Sequence, residues 1–208
     1  MLAFDIGANV GAWSLANSDP SKRIIAVEAS PITFETLRGR VAAHANIIPL
    51  NYAVSSDTSE FATFYHCARA DTLSTLDLDW IKSEKSRFAN YHAGMKTFNV
   101  PIISIDKMIA TYGIPDLIKV DVEGAENIVI RSLTQKTPQL CFEWAAEWRD
   151  KYKEVVLHLS ALGYTKFHVQ IMDNYTYTPD SYNLSSDDIL AYLDNAKDKV
   201  DWGMIWAI

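Results

Sequence analysis

Short apolar runs alternate with stretches of helical period along the first fifty residues. Leu2 to Ile6 is a compact apolar run that closes on Asp5-Ile6-Gly7, the pattern of a buried strand. Val10 to Asn17 predicts a short helix, ended by "NSDPS", and "RIIAVE" (23–28) a second strand. The next segment, "SPITFETLRGRVAAH", opens with Ser30 as a helix N-cap and Pro31 at the first helical position. Phe34, Leu37 and Val41 then recur at helical spacing, and Ile47 to Leu50 reads as a third strand. Strand, helix, strand, helix, strand within about fifty residues predicts parallel βαβ units and an α/β fold, doubly wound.

The same alternation returns later. Asp116 to Val122, "DLIKVDV", predicts a strand, Ala125 to Leu133 a helix, and Leu140 to Trp144 another strand. Trp148 to Leu162 is amphipathic, with Trp148, Tyr152, Val155, Val156, Leu159 and Leu162 on one face. Gly163 follows at the place of a left-handed cap. Residues 164–171 predict a strand, Asp187 to Asn195 a short helix, and "DWGMIWAI" a last strand. The middle breaks the pattern. Residues 52–66 are β-rich, and 67–97 are polar and irregular, with a helix near 78–89. "NVPIISI" (99–105) reads as a strand returning to the sheet, followed by a short helix to Tyr112. An irregular insertion of this length, around 67–98, is usually functional or mobile.

With 208 residues the expectation is one domain spanning 1–208. The net charge is -7 and no basic run interrupts it, so nucleic acid is not an expected partner. No apolar run approaches the ~20 residues of a membrane helix, and no membrane partner is expected. Cys67 and Cys141 stand far apart without metal-ligand spacing, and "MLAFDIG" has no basic region or cleavage-type stretch. A cytoplasmic setting is the expectation; a homo-oligomer stays open.

Chemistry enters at the strand ends. In an open parallel sheet, ligands bind at the carboxyl edge, where strand order switches. Asp5, Glu28 and Asp121 stand at such ends, and Glu143 lies close to another. "FDIGANVG" (4–11) places Gly7 and Gly11 between strand and helix, the setting of a nucleotide loop. Its spacing is Gly-x-x-x-Gly rather than Gly-x-Gly-x-x-Gly, with Asn9 where the dinucleotide loop has its middle glycine. The acid Asp5 at the loop's entry would repel a pyrophosphate and suit a positive group. Glu28 follows Gly11 by one helix and one strand, and a carboxylate there can accept both hydroxyls of a ribose. An unphosphorylated ribose, a cationic group and no diphosphate together describe S-adenosyl-L-methionine.

"FDIGANVG", "VEASP" (27–31), "NYAVSS" (51–56) and "DLIKVDVEGAE" (116–126) resemble the motif series of the FkbM-type methyltransferases, class I enzymes that use S-adenosyl-L-methionine, mostly for O-methylation. The resemblance runs from residue 4 to about 145. It implies a mostly parallel seven-stranded sheet with an antiparallel last strand, matched by strands near 164 and 202. It also implies that Asp5, Gly7 and Gly11, with Asn9 in the same loop, surround the amino-acid end and ribose of the cofactor. Glu28 is then the ribose acid, with Ala29 next to the adenine. Asn51, Tyr52 and Ala53 lie near the adenine or methionine end, and Asp121 beside the reactive methyl and the acceptor. The chain opens directly on the first strand, without the leading helices common in the family. The acceptor pocket is therefore expected from the 67–98 insertion or from a second subunit.

Asp121 and Glu143 are the expected catalytic acids, and both are candidates for the base that removes an acceptor proton. His66 and His92 are weaker candidates, each read first as a packing or surface residue. Lys119, Asp121 and Glu123 alternate, so they would share one face of a strand, where Lys119 would pair with one of the acids. Glu126, at a helix start, reads as structural. A metal-assisted route would use Asp121 and Glu143 with Glu147, but no third ligand is evident and no metal is expected. Trp144 and Trp148 either line an acceptor cleft or pack the core. The expected function is methylation of a hydroxyl on a small-molecule or glycan acceptor, such as a sugar or small metabolite. A nicotinamide-dependent oxidoreductase would need the missing glycine and a Tyr-x-x-x-Lys group, which is not found. A non-catalytic cofactor-binding module of the same fold is the other alternative, favoured if no pocket forms beside Asp121.

Overall fold

A computed structural model describes residues 1–208. The chain opens with β1 (Leu2–Ile6), α1 (Ala12–Ala16), β2 (Arg23–Val27), α2 (Pro31–Val41) and β3 (Ile47–Leu50). The N-cap reading holds, since the Ser30 side chain accepts from the Thr33 N–H and Pro31 opens α2. Next come β4 (Ala53–Val54), β5 (Phe61–His66), α3 (Leu78–Lys82), β6 (Lys96–Ile103) and α4 (Ile105–Tyr112). The last third holds β7 (Leu117–Val120), α5 (Glu126–Ile130), β8 (Leu140–Ala145), α6 (Arg149–Ala161), β9 (Phe167–Ile171), α7 (Ser186–Asn195) and β10 (Trp202–Ala207).

Seven strands form one sheet in the order β3-β2-β1-β7-β8-β10-β9. All neighbours are parallel except β10, which runs antiparallel to both β8 and β9. The expected class I sheet is therefore present, with α7 between the two strands at its antiparallel end. Strand order reverses between β1 and β7, where Asp5 lies in register with Lys119 and Ile6 with Val120. The larger core packs Phe4, Ile6, Val120 and Phe142 against α5, α6 and α7. The other face packs Ala3, Ile24 and Ala26 under α2 residues Leu37 and Val41. Gly163 takes φ 98 after α6, as its cap position predicts.

Two boundaries differ from the sequence pattern for a local reason. The predicted strand to Val122 stops at Val120, and the helix begins at Glu126. Between them Glu123 and Gly124 both have positive φ, 56° and 88°, so the chain turns sharply instead of continuing the strand. The irregular insertion is the tip of a hairpin: β5 and β6 pair antiparallel from Phe61↔Pro101 to His66↔Lys96. Its helix is only α3, shorter than the 78–89 expected, because Ser83 leaves helical geometry at ψ 138.

The tip is fastened to the sheet. Cys67, Leu73, Trp80 and Ile81 bury a small core of their own. Arg87 grips Glu147 through two bonds of 2.6 Å, and Lys151 of α6 pairs with Asp77. Trp80 packs directly on Gly124, where a Cβ would lie 1.9 Å from its ring. No helix is long and apolar enough to cross a membrane.

Candidate active site

A cavity of about 450 Å³ opens over the switch point. One wall is the loop from Gly7 to Val10, which leaves β1 and crosses to α1. The N–H groups of Gly7 and Ala8 both reach the Val27 carbonyl, at 3.0 and 2.9 Å, so the loop is tied to the end of β2. Gly7 has φ 80, and the space beside it belongs to the Asp121 carbonyl oxygen, 1.7 Å from where a Cβ would sit. Its lack of a side chain lets the ends of β1 and β7 approach. Asn9 also has positive φ, 49°, which Asn tolerates better than most residues.

That turn aims the Asn9 N–H at Glu28. The Glu28 carboxylate accepts it at 2.9 Å on one oxygen and the Ser30 N–H at 2.7 Å on the other. Each oxygen has a further lone pair to offer, and Glu28 lines the cavity. Burial pushes the Glu28 carboxyl up to about 7, against the pull of the two N–H donors. Asn51 stands outside the cavity, but its amide donates to the Glu28 and Ala29 carbonyls at 2.8 and 3.1 Å. Ala29 and Ala53 line this end together with Val54, Phe64 and Leu76, an apolar slot.

The opposite end is charged. Lys119, on β7, reaches the Asp121 carboxylate at 3.0 Å and Asp5 at 3.5 Å. Burial alone would lower the Lys119 ammonium, but the Asp121 and Asp5 carboxylates hold it above the ordinary lysine range. Asp5 is fully buried, accepts from the Ser14 hydroxyl at 2.6 Å and does not line the cavity. It stands behind Lys119, which in turn orients Asp121. Gly11 is likewise outside, its missing side chain making room for Leu37 and Val41.

Asp121, Glu123 and Glu143 bring carboxylate oxygens within 4.8 Å of one another, and all three line the cavity. Glu123 departs from the strand-face expectation, because its left-handed turn rather than strand alternation points it inward. Burial, then Asp121 and Glu126, raise the Glu123 carboxyl well above the usual range; burial, Asp121 and Glu123 do the same for Glu143. These three acids could take a divalent cation, with Glu123 as the ligand absent from the sequence reading. Glu147 is not beside them, being committed to Arg87. Glu126 is structural, accepting from the N–H groups of Val122 and Gly124 at 2.9 and 3.4 Å.

A second cavity of about 520 Å³ adjoins the first, sharing Thr72, Glu123, Glu143 and Trp202. Its outer wall is the hairpin tip. His66 and His92 line neither cavity: His66 is buried between the hydroxyls of Ser30 and Ser74, and His92 is exposed. Trp144 packs on Tyr192 in the core, and Trp148 carries the Lys151 ammonium over its ring. Sequence reasoning passed over Asp173, Tyr175 and Trp202, which line the first cavity. A signal for two of them existed. Asp173 follows the end of β9, and Trp202 starts the antiparallel β10, so both stand on the edge where the parallel strands finish.

Among curated proteins none matches this chain. Several solved structures are similar. A precorrin-6y C5,15-methyltransferase from Geobacter metallireducens GS-15 is 12% identical over 100% of this chain and 79% of its own, with a TM-score of 0.49. Aeropyrum pernix fibrillarin, crystallised with natively bound S-adenosyl-L-methionine, is 15% identical over 100% of this chain and 65% of its own, with a TM-score of 0.45. An S-adenosyl-L-methionine-dependent methyltransferase from Aquifex aeolicus is 11% identical over 100% and 81%, with a TM-score of 0.43. The model of the methyltransferase FkbM domain matches residues 5–177, most of the chain. That match spans more than half of the sequence, and the chain belongs to the FkbM methyltransferase family, whose cofactor is S-adenosyl-L-methionine.

Proposed function

We propose that this protein transfers a methyl group from S-adenosyl-L-methionine to a hydroxyl of a sugar or other small metabolite, free or within a glycan. The observation that carries the reading is the pairing of two chambers across Glu123 and Glu143, beside Asp121. The residues of the first chamber fit the cofactor. Glu28 would take the ribose hydroxyls, the slot of Ala29, Ala53 and Phe64 the adenine, and the loop from Gly7 to Asn9 the amino-acid end. Asp121 and Asp173 stand where they can supply negative charge for the sulfonium and ammonium groups.

When bound, the cofactor supplies a methyl carbon already activated by its sulfonium. The protein's share is to align an acceptor oxygen with that carbon, which can be worth roughly 7–11 kcal/mol, and to remove the hydroxyl proton. Asp121 is braced by Lys119, which suits it to alignment. Glu143 has no hydrogen-bonding or ionic partner and a raised affinity for protons, which suits it to be the base. The buried free thiols of Cys67 and Cys141 are consistent with a reducing, cytoplasmic setting.

Incorporation of labelled methyl from S-adenosyl-L-methionine into a panel of hydroxylated acceptors tests the proposal. Glu143→Gln should lose at least tenfold in turnover while keeping cofactor affinity within about threefold, and Asp121→Asn should lose more in turnover than in cofactor affinity. Equal losses in turnover and affinity would make both acids cofactor residues only.

A further inference from the structure

The second chamber has walls and charges that select among acceptors. Trp80 and Phe88 meet at 5.5 Å between centroids, and Tyr91 stands edge-on to Phe88 at 6.3 Å, so the hairpin tip lines the chamber with aromatic side chains set at angles to one another. Trp202 adds aromatic surface at the boundary with the first chamber. Apolar walls with a few polar groups at one end suit a rigid ring whose C–H groups meet aromatic side chains and whose polar edge points one way.

That polar edge is acidic. Glu123 and Glu143 stand at the shared threshold, half-buried, and neither carboxylate has a protein donor. They offer oxygen lone pairs to hydroxyl or ammonium donors and no positive charge to an anion. The chamber's one cation, Arg87, is already spent. Its Nε and Nη2 donate to Glu147 at 2.6 Å each, and Nη2 reaches the Asp201 carbonyl at 3.4 Å. No other cation lines the chamber; Arg69, over the Tyr91 ring at 5.4 Å, stands outside that lining.

We infer that the second chamber is the acceptor site, and that it takes a sugar-sized ring bearing hydroxyl groups and no anionic substituent. The ring lies against Phe88 and Tyr91 with its reacting hydroxyl at Glu143, directed toward the cofactor chamber. This assignment rests on the methyl-transfer reading and goes further, since it names the walls that choose the substrate and the charge they refuse.

The test separates the two levels. Calorimetry with S-adenosyl-L-homocysteine establishes the cofactor chamber first, and failure there sinks the methyl-transfer reading itself. With that ligand bound, ligand-observed NMR and competition follow methyl glucoside, glucosamine, glucuronate and glucose 6-phosphate at equal concentration. The expected result is contact with the first two and at least tenfold weaker binding of the two anions. Tyr91→Ala, at an exposed position that leaves the fold intact, should weaken the neutral ring by about fivefold or more without changing cofactor affinity. Cofactor binding with equal or tighter binding of the anionic sugars overturns the inference. So does cofactor binding with contact from neither methyl glucoside nor glucosamine, and so does a Tyr91→Ala protein that binds the ring unchanged.

Discussion

Gly124→Ala should uncouple the hairpin tip from the sheet, and its cost can be divided into two parts. Gly124 has φ 88, a left-handed conformation that costs a residue with a Cβ about 1–2 kcal/mol. The new Cβ would also lie 1.9 Å from Cδ1 and 2.1 Å from Cγ of Trp80, which is 4% exposed. Overpacking of this kind costs about 1–3 kcal/mol. The sum is about 2–5 kcal/mol, a large share of the ~5–15 kcal/mol that holds a typical domain together. Only the second part depends on Trp80. In a Trp80→Ala background, Gly124→Ala should therefore cost only about 1–2 kcal/mol, leaving a coupling of about 1–3 kcal/mol. Urea unfolding of the four proteins in this cycle reads the coupling directly. The same substitution should disturb the acceptor chamber, which Trp80 lines, while leaving cofactor affinity near wild type. Strict additivity, or a cost below about 0.5 kcal/mol for Gly124→Ala alone, would refute the claim that the tip is seated on the turn after β7.

Other outcomes follow from the buried charges. Glu28 titrates near 7 in the unliganded protein against 4.5 when unfolded, so the folded state binds its proton more tightly. Its stabilising effect is complete below about pH 4.5 and is lost as pH rises through about 7, a difference of about 3 kcal/mol. Glu126, also raised to about 7, and the raised Glu123 and Glu143 act in the same direction; His66, lowered by burial, opposes them. Urea unfolding of the unliganded protein should thus show higher stability near pH 5 than at pH 8, and a flat or rising profile contradicts these assignments. Cofactor affinity should rise between pH 6 and 8, since ribose hydroxyls donate to the ionised Glu28; calorimetry across that range would expose a pH-independent affinity. Arg87→Leu leaves the Glu147 side chain, 2% exposed, as an unpaired buried carboxylate and should cost about 3–5 kcal/mol, whereas the double replacement with Glu147→Leu should recover most of it in the same assay.

Most of the sheet was legible because parallel strands buried on both faces leave short apolar runs, as in "RIIAVE", and the helices between them carry clear signals such as Ser30-Pro31. The strand-end acids were legible for the same reason, since a charge closing an apolar run is conspicuous. Their division of labour was not. Asp5 and Asp121 look alike in sequence, yet Asp5 is buried behind Lys119 while Asp121 faces the cavity, a distinction set by cross-strand register. Glu123 reads as a strand residue by alternation, and only the left-handed turn at Glu123-Gly124 brings it to Glu143. The second chamber was illegible beyond its location, because the hairpin tip that walls it is seated by contacts distant in sequence, as Trp80 meets Gly124 and Arg87 meets Glu147.

The central claim is that the cavity over β1, β2 and β7 holds S-adenosyl-L-methionine through Glu28. Calorimetric titration of the purified protein with S-adenosyl-L-homocysteine, beside Glu28→Ala and with NAD as a control, tests it most directly. The account predicts one saturable site per chain, affinity reduced more than tenfold by Glu28→Ala, and no binding of NAD. A folded wild-type protein that gives no saturable signal, or a Glu28→Ala protein that binds as tightly as wild type, would contradict it.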